Sequence, residues 1–245
     1  MYRVVKRSEA PSYVTFPYIL TGYRVGGDSL RCLQSLFEWH AETVNAWSMI
    51  GATLVNIALL ATMERSVPNI LLASTVVVQT PVSVGFHLFR GINRESYQLW
   101  RKLDQSFIYI NSVLLSIAFS ITVYEGWLPI VATGLCTSTV AATACYEIVG
   151  RPFHVQRNRI LICATTGSIV VCYLSPIVYW TLTTGEWFHL TGIVFSILAG
   201  GILFATSFPE RMWPGRFDRI GSSHQLMHLF ALVANLFEWS FIGSI

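Results

Sequence analysis

Two histidines, His224 and His228, lie four residues apart at the start of the last long apolar stretch, within RIGSSHQLMHLF. Four residues make about one turn of an α-helix, so both imidazoles are predicted to share one helix face. Ionisable side chains are costly inside a membrane and usually face a bundle interior or a water-filled cavity. Such a pair is common in metal sites but is not unique to them.

Three further polar residues are predicted at the same membrane depth. His87 lies near the end of the second apolar stretch, in SVGFHLFR, and Ser83 lies one turn before it on the same face. Asp104, in RKLDQSF, opens the third apolar stretch. Together with the histidine pair, these side chains are expected in the cytosolic half of the membrane.

Three imidazoles at one depth suit a divalent metal. Neutral histidine nitrogen is a good ligand of Zn²⁺, and three protein ligands leave a fourth position for a water whose pKa falls towards neutrality. Asp104 could accept the proton of that water or orient it, and Ser83 could donate a hydrogen bond to a developing oxyanion. These groups would be sufficient for metal-assisted hydrolysis of an amide or ester in a lipid.

The same residues also allow a structural interpretation. A single histidine in a helix bundle is more often hydrogen-bonded than metal-bound, and Asp104 could simply pair with a loop arginine such as Arg101. His40, His154 and His189 fall in tails or loops and are predicted to be solvated or interfacial. The cysteines are scattered without a CxxC pair, which indicates small apolar fillers rather than a disulfide or zinc framework.

Long apolar stretches are the elements that must position these residues. Only 12% of the residues are charged, against about 25% in a soluble domain. Because a spanning helix needs about 20 apolar residues, the sequence predicts an all-α membrane protein, a bundle of seven transmembrane helices. The predicted spans are residues 45–62, 69–89, 105–124, 127–148, 160–182, 189–208 and 222–243.

Basic residues concentrate on one side of this bundle. The segment before the first span and the loops after spans two, four and six hold all of the Lys and Arg residues except Arg65. Cytosolic loops carry an excess of Lys and Arg. The amino terminus is therefore predicted in the cytosol and the carboxyl terminus outside the cell or in a lumen.

Residues 1–44 are predicted to form a cytosolic tail, followed by a transmembrane domain at 45–245. Leu30, Leu33, Leu36 and Phe37 share one face of a helix, which predicts an amphipathic helix on the cytosolic membrane surface. A solvated tail is the alternative. The first fifteen residues contain no apolar core of a signal peptide, so no cleaved signal is expected.

At these residues the sequence resembles the progestin and adipoQ receptor (PAQR) family, which is related to the bacterial haemolysin III proteins. FPYILTGYR with SLFEWHAETVNAWS is similar to the first block of the family, SVGFHLF followed by LDQS to the second, and PERMWPGRFDRIGSSHQLMHLF to the third. Three ordered blocks over most of a seven-span chain are far more specific than one HxxxH pair.

The resemblance implies a seven-helix fold and a zinc ion held by His87, His224 and His228. It also implies that Asp104 contacts the zinc through water and that Ser83 lies close by. Adiponectin receptors, which belong to this family, are linked to ceramidase activity. The alkaline ceramidases share a similar arrangement of Ser, Asp and three His residues, which favours ceramide or a related lipid amide as substrate.

The sequence departs from the family in the first block, which usually reads N-E-T-x-N-x-W-[ST]-H. Ala41 replaces the first Asn and Met49 replaces the closing His, so a polar role at position 49 is lost. Glu42, Asn45 and Trp47 keep the pattern. The segment before the first span is short, so adiponectin binding is not expected.

Several functions stay open at this point. The first is a receptor with an intramembrane zinc site that hydrolyses a lipid amide, with a membrane lipid as substrate or ligand. The second is a non-enzymatic receptor, or a scaffold for a cytosolic signalling protein, in which zinc is structural. A metal-free bundle with a histidine network is the third. The protein is expected in the plasma membrane or an ER or Golgi membrane, without a nucleic-acid partner.

Overall fold

The computed structural model describes residues 2–150 and 159–245, with side chains from residue 164 onward in the second range. The chain begins with two short antiparallel strands, β1 (Arg3–Val5) and β2 (Tyr23–Val25), and a short helix, α1 (Ser29–Gln34). Asp28 caps α1, because its carboxylate accepts a hydrogen bond of 2.8 Å from the backbone N–H of Arg31.

Seven long helices follow, and within the described residues each has the length and apolar character to cross a membrane. They are α2 (Thr43–Thr62), α3 (Val67–Phe89), α4 (Arg94–Val123), α5 (Trp127–Gly150), α6 (Arg159–Thr184), α7 (Phe188–Thr206) and α8 (Ser223–Ile242). The predicted seven-helix, multi-pass membrane protein is thereby confirmed. The direction in which the chain crosses the membrane stays a prediction.

The start of α4 differs most from its predicted position. The helix begins at Arg94 rather than at residue 105, because the side chain of Asn93 accepts a hydrogen bond of 2.8 Å from the N–H of Ser96 and caps the first turn. Asp104 and its basic neighbours Arg101 and Lys102 are therefore helical. The basic residues Arg151 and Arg157 of the next predicted cytosolic loop lie outside the described residues.

The described chain divides into two compact units. The first contains the residues up to Ala52, Thr80–Arg101 and Val194–Asn235, which bring together the amino-terminal segment and portions of α2, α3, α4, α7 and α8. The second contains Thr53–Gln79, Lys102–Ile193 and Leu236–Ile245. All three histidines of the predicted metal site belong to the first unit.

The amino-terminal segment is built into the first unit. The N–H of Gly26, directly after β2, donates a hydrogen bond of 2.7 Å to the carbonyl oxygen of Gly91, after the end of α3. Leu30, Leu33 and Phe37, three of the residues assigned to the apolar face of the predicted amphipathic helix, are exposed. Its location on the membrane surface stays a prediction.

The second unit has a tightly packed interior. Trp239 of α8 is 1% exposed, and its indole N–H donates a hydrogen bond of 2.8 Å to Asn56 of α2. Phe119 of α4 and Phe241 of α8 are fully buried, with ring centroids 5.9 Å apart. A buried hydrogen bond such as that between Trp239 and Asn56 provides a partner for polar groups where a membrane offers no water.

Candidate metal centre

The first unit brings the three predicted histidines together. His87 lies two residues before the end of α3, whereas His224 and His228 lie in the first two turns of α8. One candidate ligand atom from each ring lies within 4.8 Å of the others. Because zinc–nitrogen bonds are about 2.0–2.1 Å long, two nitrogens on one zinc ion lie at most about 4.2 Å apart, so the three rings would have to close in slightly around a single ion.

Small residues allow the helices around this cluster to pack closely. Gly85 precedes His87 by two residues, and a Cβ atom there would lie only 2.0 Å from the Trp100 ring of α4. Gly200 of α7 is similar, because a Cβ atom there would lie 3.0 Å from Cβ of Phe230 in α8. Glycine at position 85 permits an approach that a larger residue would prevent, whereas a Cβ at position 200 would push Phe230 away by a few tenths of an ångström.

Glu42, directly before α2, orients the His87 ring. Its Oε2 lies 2.7 Å from Nδ1 of His87, and Nδ2 of Asn45 donates a hydrogen bond of 2.8 Å to the same oxygen. A carboxylate on Nδ1 holds the proton there and leaves a lone pair on Nε2, as in many metal sites. That Nε2 is buried without a hydrogen-bond partner among the residues the structure describes.

Ser48 of α2 orients His228 in the same way. Its hydroxyl donates a hydrogen bond of 2.8 Å to the carbonyl oxygen of Asn45, and its oxygen lies 2.8 Å from Nδ1 of His228. A serine hydroxyl has one hydrogen, so the oxygen accepts from Nδ1–H. Nε2 of His228 is thus left with its lone pair.

The third ring, that of His224, contributes another unpaired atom. Its Nδ1 is buried and has no hydrogen-bond partner within the described part of the chain. A buried polar atom without a partner costs about 1–3 kcal/mol. A divalent metal between the three rings would supply a partner, and an all-nitrogen donor set suits zinc. The residues therefore fit a metal ion.

Glu42 carries the negative charge of this centre. Burial would raise the pKa of its carboxyl, but the Arg90 guanidinium at 2.8 Å and the hydrogen bond with His87 outweigh burial and hold that pKa well below its usual range. The carboxylate is therefore ionised. A buried anion next to a ligand ring also favours a cation at the opposite nitrogen.

Two arginines anchor this arrangement to the amino-terminal segment. Arg90 donates to Glu42 and, at 2.9 Å, to the carbonyl oxygen of Val14, while its guanidinium lies 4.4 Å from the centroid of the Phe16 ring. Arg24 of β2 donates to the carbonyl oxygens of His87 and Leu88, at 2.6 and 2.9 Å. The end of α3, with its histidine, is held by buried charged hydrogen bonds.

The two predicted catalytic residues are placed differently. Ser83 lies one turn before His87 on α3, in the same unit, and is 3% exposed. Asp104 belongs to the second unit, where Oδ1 accepts a hydrogen bond of 3.0 Å from Nε2 of Gln79. The catalytic roles of Ser83 and Asp104 stay predictions.

One prediction about the remaining histidines is wrong. His40 is fully buried rather than solvated, with Nε2 2.9 Å from the carbonyl oxygen of Ser35 and Nδ1 accepting from the N–H of Glu42 at 3.1 Å. His189 is half-buried at the start of α7, with Nε2 3.2 Å from Oγ of Ser240. His154 lies outside the described residues.

Sequence reasoning gave no role to the residues that orient the ligands. The sequence places Glu42 directly before the first span and within the first family block. Its position relative to the histidines in the sequence, however, indicates no partner for its carboxylate. Ser48 had no signal beyond its place in the same block. Arg24 was counted only as a basic residue of the amino-terminal segment.

Comparisons with known proteins agree with this architecture. The haemolysin-III-related family matches residues 37–239. Human membrane progestin receptor alpha is 25% identical over 95% of this chain and 74% of its own length, and mouse progestin and adipoQ receptor family member 3 is 27% identical over 91% and 79%.

An uncharacterized protein of Schizosaccharomyces pombe is 24% identical over 97% of this chain, which spans 59% of the length of that relative. The match to the family covers most of the chain and includes all three histidines. The predicted likeness to the progestin and adipoQ receptors is confirmed, and this chain belongs to the haemolysin-III-related family of integral membrane proteins.

Proposed function

We propose that this protein is a membrane receptor of the progestin and adipoQ type whose three histidines bind Zn²⁺ and support hydrolysis of a lipid amide. The observation that carries the proposal is the pair of buried, unpartnered ring nitrogens, Nε2 of His87 and Nδ1 of His224. Buried polar atoms normally have partners. Two such atoms in one cluster support an ion as the partner of both.

The residues of the first unit have distinct tasks in this proposal. His87, His224 and His228 would hold the ion, and Glu42 would keep the lone pair of His87 directed at it. A bound zinc ion lowers the pKa of water towards neutrality and polarises a carbonyl group. Ser83 would donate its hydroxyl hydrogen to the oxygen of the substrate carbonyl, where negative charge develops.

Asp104 would move the proton in this reaction. It would take a proton from the attacking water and return it to the amide nitrogen, as a general base and then a general acid. The hydroxyl of the water joins the acyl carbon, the carbon–nitrogen bond breaks, and a free fatty acid and an amine result. Ceramide is the substrate class that the family resemblance favours.

A second candidate is a receptor without enzymatic activity, in which zinc only stabilises the helix ends. The names of the relatives favour it, because two of those described above are named as receptors and one of these as a progestin receptor. In this alternative a steroid or another lipid would act as the ligand, and a cytosolic signalling protein would be the partner.

Metal content is the first test. Elemental mass spectrometry of the purified protein should find about one zinc per chain, and the His224→Ala variant should lose it. A screen of ceramides and other acyl amides then separates the two candidates, with Asp104→Ala as the inactive control. If the protein binds zinc but hydrolyses none of these lipids, the receptor without enzymatic activity is favoured. If the wild-type protein contains no zinc, both metal-dependent candidates are rejected.

A further inference from the structure

A cavity of about 150 Å³ lies beside the histidine cluster, within the first unit. We call it the side cavity. His224 and Glu42 form part of its wall, so it reaches the metal centre directly. Since a water molecule occupies about 30 Å³ in the liquid, the side cavity has room for a few waters or a partly hydrated metal ion.

Oxygen atoms dominate the polar part of its wall. Two carboxylates besides that of Glu42, those of Glu210 and Asp218, line the side cavity. Glu210 accepts hydrogen bonds from the N–H and the hydroxyl of Ser223, and Asp218 accepts from the N–H of Leu20 at 2.9 Å. Hydrogen bonds from neutral donors fix these carboxylates in place, and among the residues that the structure describes neither forms an ion pair.

Asn45 adds an acceptor without a donor. It lines the side cavity and is 3% exposed, and its Oδ1 has no hydrogen-bond partner in the part of the chain that the structure describes. The orientation of the amide is fixed, because Nδ2 donates to Glu42. Amide and carboxylate oxygens both bind divalent cations in many metal sites. The buried amide oxygen of Asn45, which lies beside a carboxylate, can therefore bind a cation that enters the side cavity.

We propose that the side cavity is the route by which a divalent cation reaches the three histidines. The inference rests on the metal binding of the proposed function. The carboxylates of the side cavity attract the cation, and the oxygen atoms of the cavity wall replace part of the hydration shell of the cation. His224 belongs both to the wall of the side cavity and to the histidine cluster. Its ring nitrogen is therefore the first to bind the ion. Clefts lined by one sign of charge raise association rates in this way.

Ser207 allows a test that leaves the hydrogen bonds of Glu210, Asp218 and Asn45 intact. It lines the side cavity, is half-buried, and follows the end of α7. The probe is Zn²⁺ alone, added to the purified full-length protein after a chelator has removed bound metal, with uptake followed by a fluorescent zinc indicator in stopped flow. Ser207→Asp should load several-fold faster than wild type and Ser207→Lys several-fold slower, with the difference shrinking at high salt.

A steric version tests the route itself. Ser207→Cys, labelled with a bulky methanethiosulfonate, should load and release Zn²⁺ at least about tenfold more slowly, with unchanged final occupancy, because a narrowed route slows both directions equally. Ser12→Cys with the same label is the matched control, since Ser12 is exposed and is not part of the cavity wall. It should load as the wild type does.

The outcomes separate the two proposals. If the wild type takes up no zinc, the metal site and the route both fail. If it takes up one zinc, and the labelled Ser207→Cys and the two charged variants all load at the wild-type rate, the route is refuted while the metal site stands. If the Ser12→Cys control slows as much as the labelled Ser207→Cys, the effect is not specific to the side cavity, and the route is again refuted.

Discussion

Oε2 of Glu42 lies 2.7 Å from Nδ1 of His87, and both side chains are buried. The contact joins the segment before α2 to the end of α3, and it determines which nitrogen of His87 faces the other two rings. The proposed metal centre therefore depends on a residue that would not itself bind the ion. The contact can be tested separately from the ligands themselves.

Glu42→Gln should weaken zinc binding by about 10–100-fold, the usual cost of losing a carboxylate that supports a ligand histidine. The amide keeps the size of the side chain but removes the charge that fixes the tautomer of His87. Competition with a chelator of known affinity measures the effect. Glu64→Gln is the matched control, because Glu64 is exposed. Equal affinities for Glu42→Gln and wild type would exclude a role of Glu42 in orienting the ligand.

Ser48→Ala should weaken zinc binding less, by several-fold. It removes a neutral acceptor from Nδ1 of His228 and leaves the ring free to rotate, but it removes no charge. The same competition assay applies. Ser74→Ala, in which the lost hydroxyl contacts the carbonyl oxygen of Ile70 in its own helix, should have the affinity of the wild type. A larger loss for Ser48→Ala than for Glu42→Gln would contradict this ranking.

These two residues show where sequence reasoning stops. The seven spans follow from hydrophobicity. Helical spacing and a common depth predict only that His87, His224 and His228 lie at one level of the membrane, and the family resemblance implies that they meet. The partners of Glu42 and Ser48 are set by the packing of α2 against other helices, which no local pattern contains.

The start of α4 and the burial of His40 were mispredicted for a related reason. Polar and charged residues between 94 and 104 have the composition of a loop, whereas the Asn93 cap extends the helix through them. His40 lies in a short irregular segment, where histidines are usually exposed. Its two hydrogen bonds to backbone groups allow the ring to be buried at no polar cost.

Arg24→Lys should lower stability by about 2–3 kcal/mol, a typical contribution of hydrogen bonds to charged groups. Lysine cannot reproduce the fork that reaches the hydroxyl of Ser35 and the carbonyl oxygens of His87 and Leu88 together. The midpoint of thermal unfolding in detergent measures the loss. Arg3→Lys, on the exposed side of β1, should leave the midpoint unchanged, and an equal shift in both variants would argue against this role of Arg24.

His40 should make the protein less stable in mild acid. Burial, with a smaller effect of Arg24, lowers the pKa of His40 to about 4 from an ordinary value of 6.5. Between these two pH values the unfolded chain binds a proton that the folded chain does not, so stability falls as the pH falls from 6.5 towards 4. Over that whole range the loss is on the order of 3 kcal/mol.

Unfolding midpoints of His40→Gln and wild type, taken at several pH values, isolate this contribution. The variant should be less stable at neutral pH, because it loses a backbone contact, and should show a shallower decline in acid. Parallel pH profiles for His40→Gln and wild type would show that His40 is not titrated on unfolding.

Cys136 of α5 and Cys172 of α6 should form a disulfide when the purified protein is oxidised with copper–phenanthroline. Their sulfur atoms lie 3.6 Å apart, so only a small rotation of the side chains is needed for the bond. Each thiol loses one hydrogen, and mass spectrometry of the digested protein should find the linked peptides. Cys172→Ser should abolish the link and Cys145→Ser should not, because Cys145 instead contacts the carbonyl oxygen of Ser106. Failure of the wild type to crosslink under conditions that oxidise other thiols would mean that α5 and α6 do not pack in this register.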